Sequence, residues 1–469
     1  MTTTSVVVTE SISLSKTKAP ALPFAPVVYD RAYQDTLNNI LRQYFNTLDN
    51  LIGQLTLMAS INGAIPVSID GTNTDAFGRI RVSQPYTLFD SQSRYAADNQ
   101  FDTSTSGTGS TTFNTNQSSV SLSVTGGGVG SVVRQTYRVF PYQPGKGLLV
   151  LATFQMDSSD SVNLSQRIGY FNTQNGVFFQ KVDGVNSFVL RTNITGTPSD
   201  ARAVVQSAWN GDKLDGTGTS GLTLDLTHPQ ILWMDFEWLG VGSVRCGFII
   251  NGQYIVCHTF NTANVYGTTV YMTTAILPVR YEITTTTTAV AATLTQICSS
   301  VISEGGFEQT SIDHVARRTT VFTNIDTAAT FYPIVSIRLA SGRTGSVVIP
   351  NRVQFLPLTS QNYEVALLKN PTLTGATWAA TVPTDSNVEY DVAATAISSV
   401  GTIVQTDYIV STGSSGVTQT SLSSEYNWDL QLGASLAGVS DIYTLAVRTV
   451  DGATKGSGVG SLSFYDLTQ

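Results

Sequence analysis

Two acids separated by one residue, Asp235 and Glu237 in Trp233-Met-Asp-Phe-Glu-Trp238, have the types and spacing best suited to chemistry in this chain. Strand alternation puts both carboxylates on one face, about 6.8 Å apart along the strand. Paired carboxylates on a sheet face are what glycoside hydrolysis needs, one as acid and the other as nucleophile or base. The flanking tryptophans offer flat surfaces for sugar rings. The same alternation has a simpler consequence: Met234, Phe236 and Trp238 fill a core while the acids face water, as in a half-buried antiparallel strand. The motif holds no third group to set the two acids apart in proton affinity. The simpler reading is therefore preferred, no residue is assigned as catalytic, and the chain is expected not to be an enzyme.

Just downstream, Arg245-Cys-Gly-Phe-Ile-Ile250 and Gln253-Tyr-Ile-Val-Cys-His258 flank Asn251-Gly252, a dipeptide that accepts positive φ at both central positions of a type I′ turn. Such a turn sets the register. Ile250 should face Gln253, Phe248 should face Ile255, and Cys246 should face Cys257, with His258 on the other face of the ribbon. That alternation separates Cys257 from His258 and removes a thiol–imidazole pair. The two cysteines are expected as packed thiols in a protein assembled in a cytoplasm, with a disulfide as the alternative on oxidation. His228, His258 and His314 lie far apart in the sequence and no HExxH or CxxC spacing occurs, so no metal is expected. Gly126-Gly-Gly-Val-Gly130 is followed by neither Lys-Ser/Thr nor a helix signal, and reads as a surface turn with no cofactor. Trp209, beside the polar loop Asn210 to Gly221, would favour ligand binding if it lay exposed in a shallow groove.

The elements that must hold these residues are mostly strands. Charged residues make up 12% of the 469 positions, about half the usual share, and Thr, Ser, Asn and Gly fill the space between apolar runs. Low charge suits a protein that packs against neighbours in an assembly. A net charge of −8, with 25 basic residues scattered among 33 acids, argues against a nucleic-acid groove. No apolar run reaches the roughly 18 residues of a membrane span, and the N-terminus lacks the marks of a signal peptide. Three cysteines exclude a framework made only of disulfides.

Residues 1–28 read as an extended arm with three spaced prolines, Pro20, Pro23 and Pro26. An amphipathic helix follows over 29–62, capped at Asp30, with Leu37, Leu41, Tyr44, Leu48, Leu51, Leu55 and Met58 in alternating steps of four and three. Two roles fit that stripe: a short coiled coil tying protomers into a homotrimer or larger bundle, or docking on the chain's own β body. Ile40, Phe45 and Ile52 widen it beyond a strict seam, and Gly53 weakens its last turn. From residue 63 onward strand and turn signals dominate. The fold class expected is mainly β, with two antiparallel β-sandwich domains of jelly-roll or lectin-like type over 63–306 and 319–469, joined by a linker at 307–318.

Several phrases resemble one family. Trp238-Leu-Gly-Val-Gly-Ser-Val-Arg245, Ile250-Asn-Gly252, Cys257-His-Thr-Phe260 and Tyr271-Met-Thr-Thr-Ala-Ile-Leu-Pro-Val-Arg-Tyr-Glu282 are similar to a module of structural virion proteins of tailed bacteriophages, above all cyanobacterial and marine phages. Asp75-Ala-Phe-Gly-Arg-Ile-Arg-Val-Ser-Gln-Pro-Tyr-Thr-Leu-Phe-Asp-Ser-Gln-Ser-Arg-Tyr95 resembles the opening of the β body of those proteins, and Gln296-Ile-Cys-Ser-Ser-Val-Ile-Ser-Glu-Gly-Gly306 its close. The resemblance is specific over about residues 75–306, fainter to the C-terminus and generic before residue 20. It implies a fibre, spike or decoration subunit of the virion, attached through arm and helix to other virion proteins of head or tail. A receptor-binding adhesin for host surface glycans is the alternative, and a glycan depolymerase using Asp235 and Glu237 the third.

Overall fold

The computed structural model describes residues 27–60 and 84–468, with Leu22 and Phe24, except for 159, 266–268, 288–290, 328, 381–385, 412–417, 422–427 and 452–454; for 50–60 and 418–421 it describes the backbone alone. The chain forms two compact units, residues 1–82 and 83–469. In the first, a helix spans Arg31–Ser60. Its start is set by Asp30, whose Oδ1 accepts the Ala32 N–H at 2.8 Å. Leu37, Leu41, Tyr44 and Leu48 are all half-exposed along one stripe, while the side chains of Leu51, Leu55 and Met58 lie outside the described residues. The expected arm 1–28 lies outside them too, apart from Leu22, Phe24, Val27 and Val28.

The second unit holds two β-sandwiches built from antiparallel sheets, as the alternating apolar pattern requires. In the first sandwich, one eight-stranded sheet runs in the order Gln253–Phe260, Val244–Ile250, Gln230–Phe236, Leu148–Met156, Ala292–Ser303, Ser119–Val124, Gly109–Asn114, with Tyr86–Gln92 also paired to Ala292–Ser303. A seven-stranded sheet faces it, ordered Ala203–Val205, Val185–Arg191, Gly176–Val182, Leu164–Phe171, Val279–Thr285, Gly130–Thr136, Phe101–Gly107. Phe154 and Phe248 from one sheet meet Phe179 and Phe188 from the other, with ring centroids 5.3–6.1 Å apart. Each such fully buried ring is worth roughly 1.5–3 kcal/mol of transfer free energy.

In the C-terminal half a five-stranded sheet, led by Gly456–Asp466 and Val348–Pro357, packs on a six-stranded sheet led by Tyr332–Leu339, Ile442–Thr449 and Asn362–Lys369. Within the stretch expected as a linker, Asp313–Arg317 is a strand paired with Gly456–Asp466, so the passage between sandwiches is shorter than 307–318. Alternation in Asp313-His-Val-Ala-Arg317 explains it: His314 and Ala316 are buried and their neighbours are not.

The hairpin departs from its expected register past its first four residues. Asn251 and Gly252 adopt φ of 51° and 77°, and Ile250 pairs with Gln253, Phe248 with Ile255 and Gly247 with Val256 as expected, but Cys246 pairs with His258. Cys257 is the extra residue of a β-bulge. The bulge turns both Cys257 and His258 inward, correcting the expectations that Cys246 faces Cys257 and that His258 lies on the other face. Its cause is visible at Gly247: a Cβ there would stand 1.8 Å from the Ile255 carbonyl oxygen, the atom that accepts the Trp233 indole N–H at 3.2 Å. Only glycine allows that close approach.

Candidate functional site

The candidate catalytic pair does not come together as a pair. Asp235 is the next-to-last residue of Gln230–Phe236 and is buried, and its carboxylate takes a bidentate ion pair from Arg245 on the neighbouring strand, the Nε–Oδ1 bond being 2.8 Å. Glu237 lies beyond the strand end, where its Oε1 accepts the backbone N–H and hydroxyl of Ser243 at 3.3 and 3.2 Å. The carboxylate that faces Asp235 electrostatically is Glu304, whose proton affinity is raised by burial and then by Asp235, against Arg245. Met234 and Phe236 are in the core and Trp238 packs against it.

Trp209 is not an exposed platform. It is 2% exposed, packs tilted against Phe188 with ring centroids 4.7 Å apart and donates its indole N–H to the Val204 carbonyl at 3.1 Å. Its polar loop folds over it through Asp212, whose oxygens accept the N–H groups of Leu214 and Ser220. The three cysteines are free thiols; Cys246 and Cys257 are buried in the core, where desolvation pushes Cys246 well up and Cys257 up to about 12. His258 is lowered by burial, accepts the Asn210 N–H at 3.3 Å and meets the Phe260 ring edge-on at 4.5 Å. It is a packed core histidine. Among the described residues no group of three His, Cys, Asp or Glu is arranged to hold a metal ion.

A concave site instead lies where the two sandwiches meet, a cleft of about 800 Å³. Several separate parts of the chain build it. Tyr86 and Asp90 come from the strand Tyr86–Gln92, and Asn99 and Gln100 from the loop after it. Tyr137 and Arg138 follow the strand Gly130–Thr136. Lys369 and Asn370 sit at the end of Asn362–Lys369, where Asn370 takes a φ of 54° and turns the chain. Trp428, Asp429 and Asp441 complete the wall.

The walls are tied together by buried polar bonds. The Arg138 guanidinium donates to the Trp428 carbonyl at 2.6 Å, to Asp429 Oδ1 at 3.3 Å and to Gln100 Oε1. Burial lowers its proton affinity while Asp429 opposes that. Gln431 Nε2 donates to the Val139 carbonyl at 2.9 Å, Ala434 N–H to the Tyr137 carbonyl at 2.9 Å, and Leu436 N–H to Asp102 Oδ2 at 2.7 Å. Val347, Ile349 and Trp428 pack into the core of the first sandwich, so the cleft is a fixed feature of the join. Lys369 Nζ meets Asp441 Oδ2 at 3.1 Å, and Asn370 Nδ2 donates to Asp441 Oδ1 at 2.7 Å.

Aromatic surface adjoins these polar groups. Tyr86 lies 6.3 Å from Phe307, which meets Trp428 edge-on at 4.4 Å. Burial and then Asp429 raise the Tyr86 phenol; burial, Asp102 and Asp441 raise that of Tyr137. Both stay protonated donors at neutral pH. A site of this volume with aromatic faces, amides and hydroxyls suits a small polar ligand that offers both ring faces and hydroxyls. A second groove, about 680 Å³ on the outer face of the eight-stranded sheet, has Leu151, Ile231, Ile249 and Ile297 as its apolar lining beside Asp90, Gln92, Arg94 and several serines. No local motif marks the cleft, because its residues are drawn from positions 86 to 441.

No protein-family profile matches the chain, and no curated protein matches it. Among solved structures, the chain is similar to the carbohydrate recognition domain of Emp47p, at 6% identity over 50% of this chain and 99% of that one, with a TM-score of 0.29. It is also similar to arcelin-5, a lectin-like defense protein from Phaseolus vulgaris, at 10% identity over 47% of this chain and 99% of that one, TM-score 0.29. The exoplasmic/lumenal domain of VIP36 in a Ca2+/Man-bound form aligns at 10% identity over 48% of this chain and 94% of that one, TM-score 0.28. No residue of the cleft is assigned from them.

Proposed function

We propose that this protein is a glycan-binding structural subunit, an adhesin-type component of a tailed-phage particle, and that the cleft between its sandwiches holds the sugar. The observation that carries the binding role is the cleft itself, a concavity lined by Tyr86, the amide of Asn99 and the carboxylates of Asp90 and Asp429. Sugars are bound by this combination because their C–H faces pack on aromatic rings while their hydroxyls need paired donors and acceptors. The particle role is supported by the sequence resemblance over residues 75–306 and by the amphipathic helix Arg31–Ser60, which we assign to homotrimer formation and attachment to other virion proteins.

In this reading the chain binds glycans without cutting them, since Asp235 is held by Arg245 and Glu237 by Ser243. The test is a glycan panel screened with the full chain, followed by titration of Tyr86→Ala. Tyr86 is 37% exposed and so can be truncated at small cost to the fold. Loss of one stacking ring should weaken sugar binding by about tenfold, the equivalent of ~1.4 kcal/mol. Unchanged affinity in that variant would move the site elsewhere.

A further inference from the structure

We infer that the cleft selects uncharged, hydroxyl-rich oligosaccharides and rejects anionic ones, those bearing uronate, sialate or sulfate groups. The inference rests on the proposed glycan-binding role and concerns only which class of glycan enters.

The argument is one of committed and uncommitted charge. Two cations line the cleft, and both are already spent. Arg138 directs its guanidinium at the Trp428 carbonyl, Asp429 and Gln100 from a buried position. Lys369 is 3.1 Å from Asp441 and lies over the Tyr443 ring at 5.9 Å. Three carboxylates line the same space. Asp441 is consumed by Lys369, Asn370 and the Gly433 N–H. Asp429 keeps its side chain 72% exposed with one oxygen bonded to Arg138, so its other oxygen faces outward. Asp90 is exposed, and among the described residues its carboxylate has no ion-pair partner.

What the cleft offers a ligand is therefore acceptors on Asp429 and Asp90, the amide of Asn99, and the Tyr86 phenol. A sugar hydroxyl donates to the free carboxylate oxygens and accepts from the amide. A ligand carboxylate or sulfate finds no uncommitted cation: capturing Lys369 would strip the buried Asp441 of its partner, and capturing Arg138 would strand the buried Trp428 carbonyl. It would also sit within a few ångströms of Asp429 and Asp90, a repulsion worth about tenfold in affinity per carboxylate at an effective dielectric between surface protein and water.

The experiment uses the full chain and paired probes: neutral oligomers of glucose, galactose, mannose and N-acetylglucosamine beside uronate-containing and sulfated oligosaccharides of equal length, titrated by calorimetry. The expected result is binding of a neutral probe with Kd changing less than about twofold between low and high salt, and binding of its anionic counterpart at least about tenfold weaker. In Asp90→Asn/Asp429→Asn the discrimination should shrink by about tenfold or more while Tyr86→Ala weakens the neutral probe alike. Preference for the anionic probe, or discrimination unchanged in the double variant, overturns the inference and leaves a glycan site standing. Failure of every probe of both classes overturns the glycan reading and the inference with it.

Discussion

Arg138 gives the sharpest test of the join that creates the cleft. Replacing it with methionine keeps most of the aliphatic stem and removes the charged head, whose guanidinium carbon lies 5.7 Å from the Phe89 ring centroid. The head makes a 2.6 Å bond to the Trp428 carbonyl, a bond to Gln100 Oε1 and a 3.3 Å ion pair to Asp429. The carbonyl bond is buried and charge-assisted, worth roughly 1.5–3 kcal/mol, and its loss strands an acceptor. Gln100 is half-exposed and recovers its bond from water. The ion pair adds less than about 1 kcal/mol because Asp429 is mostly in solvent. The expected cost of Arg138→Met is thus about 3 kcal/mol, against less than about 1 kcal/mol for Asp429→Asn. Urea titration followed by tryptophan emission measures both, and the segment around Trp428 should become the first site cut in limited proteolysis of the Met variant. A cost for Arg138→Met no larger than that for Asp429→Asn would refute the view that this side chain fastens the two sandwiches.

Other outcomes follow from the same contacts. Glu304 has its proton affinity raised in the folded state by burial and Asp235, so the native state binds the extra proton and stability falls as pH rises from the unfolded carboxylate value through the folded one; Glu304→Gln should raise the melting temperature at pH 7 and lose that advantage at pH 4 and below. Glu282 is the opposite case: burial works to raise it, but Arg280 and Arg167 override burial and lower it, so its stabilisation is present above the unfolded value and is lost as acid protonates it. Glu282→Gln should cost about 3 kcal/mol at neutral pH in urea titrations, with the difference closing in acid. Gly247→Ala, which sets a Cβ against the Ile255 carbonyl, should cost more than about 3 kcal/mol and be read as loss of soluble protein or a collapse of the melting temperature. In timed alkylation with mass spectrometry, half-buried Cys298 should label before buried Cys246 and Cys257. A chain lacking residues 1–62 should sediment as a monomer if the helix forms the trimer.

The amino-acid sequence by itself determined what is local and periodic. Alternation marked the chain after the helix as strand and turn, which the antiparallel sheets bear out, because a half-buried strand must alternate to keep one face dry. Asp30 capped the helix, and Asn251-Gly252 placed the hairpin turn, because both act through bonds and dihedrals within a few residues. Tertiary structure alone decided the rest. The bulge at Cys257 depends on the Trp233 indole crossing Gly247 from another strand, which no reading of the hairpin's own residues contains. Trp209 looked like a loop aromatic and became core because Phe188, 21 residues earlier, offered it a ring to pack against. Asp235 and Glu237 lost their pairing to Arg245 and Ser243 across a strand boundary that alternation could not see. The cleft was least legible of all: Tyr86, Arg138, Lys369 and Asp429 share no motif, and only the packing of one sandwich on the other brings them within reach of a single ligand.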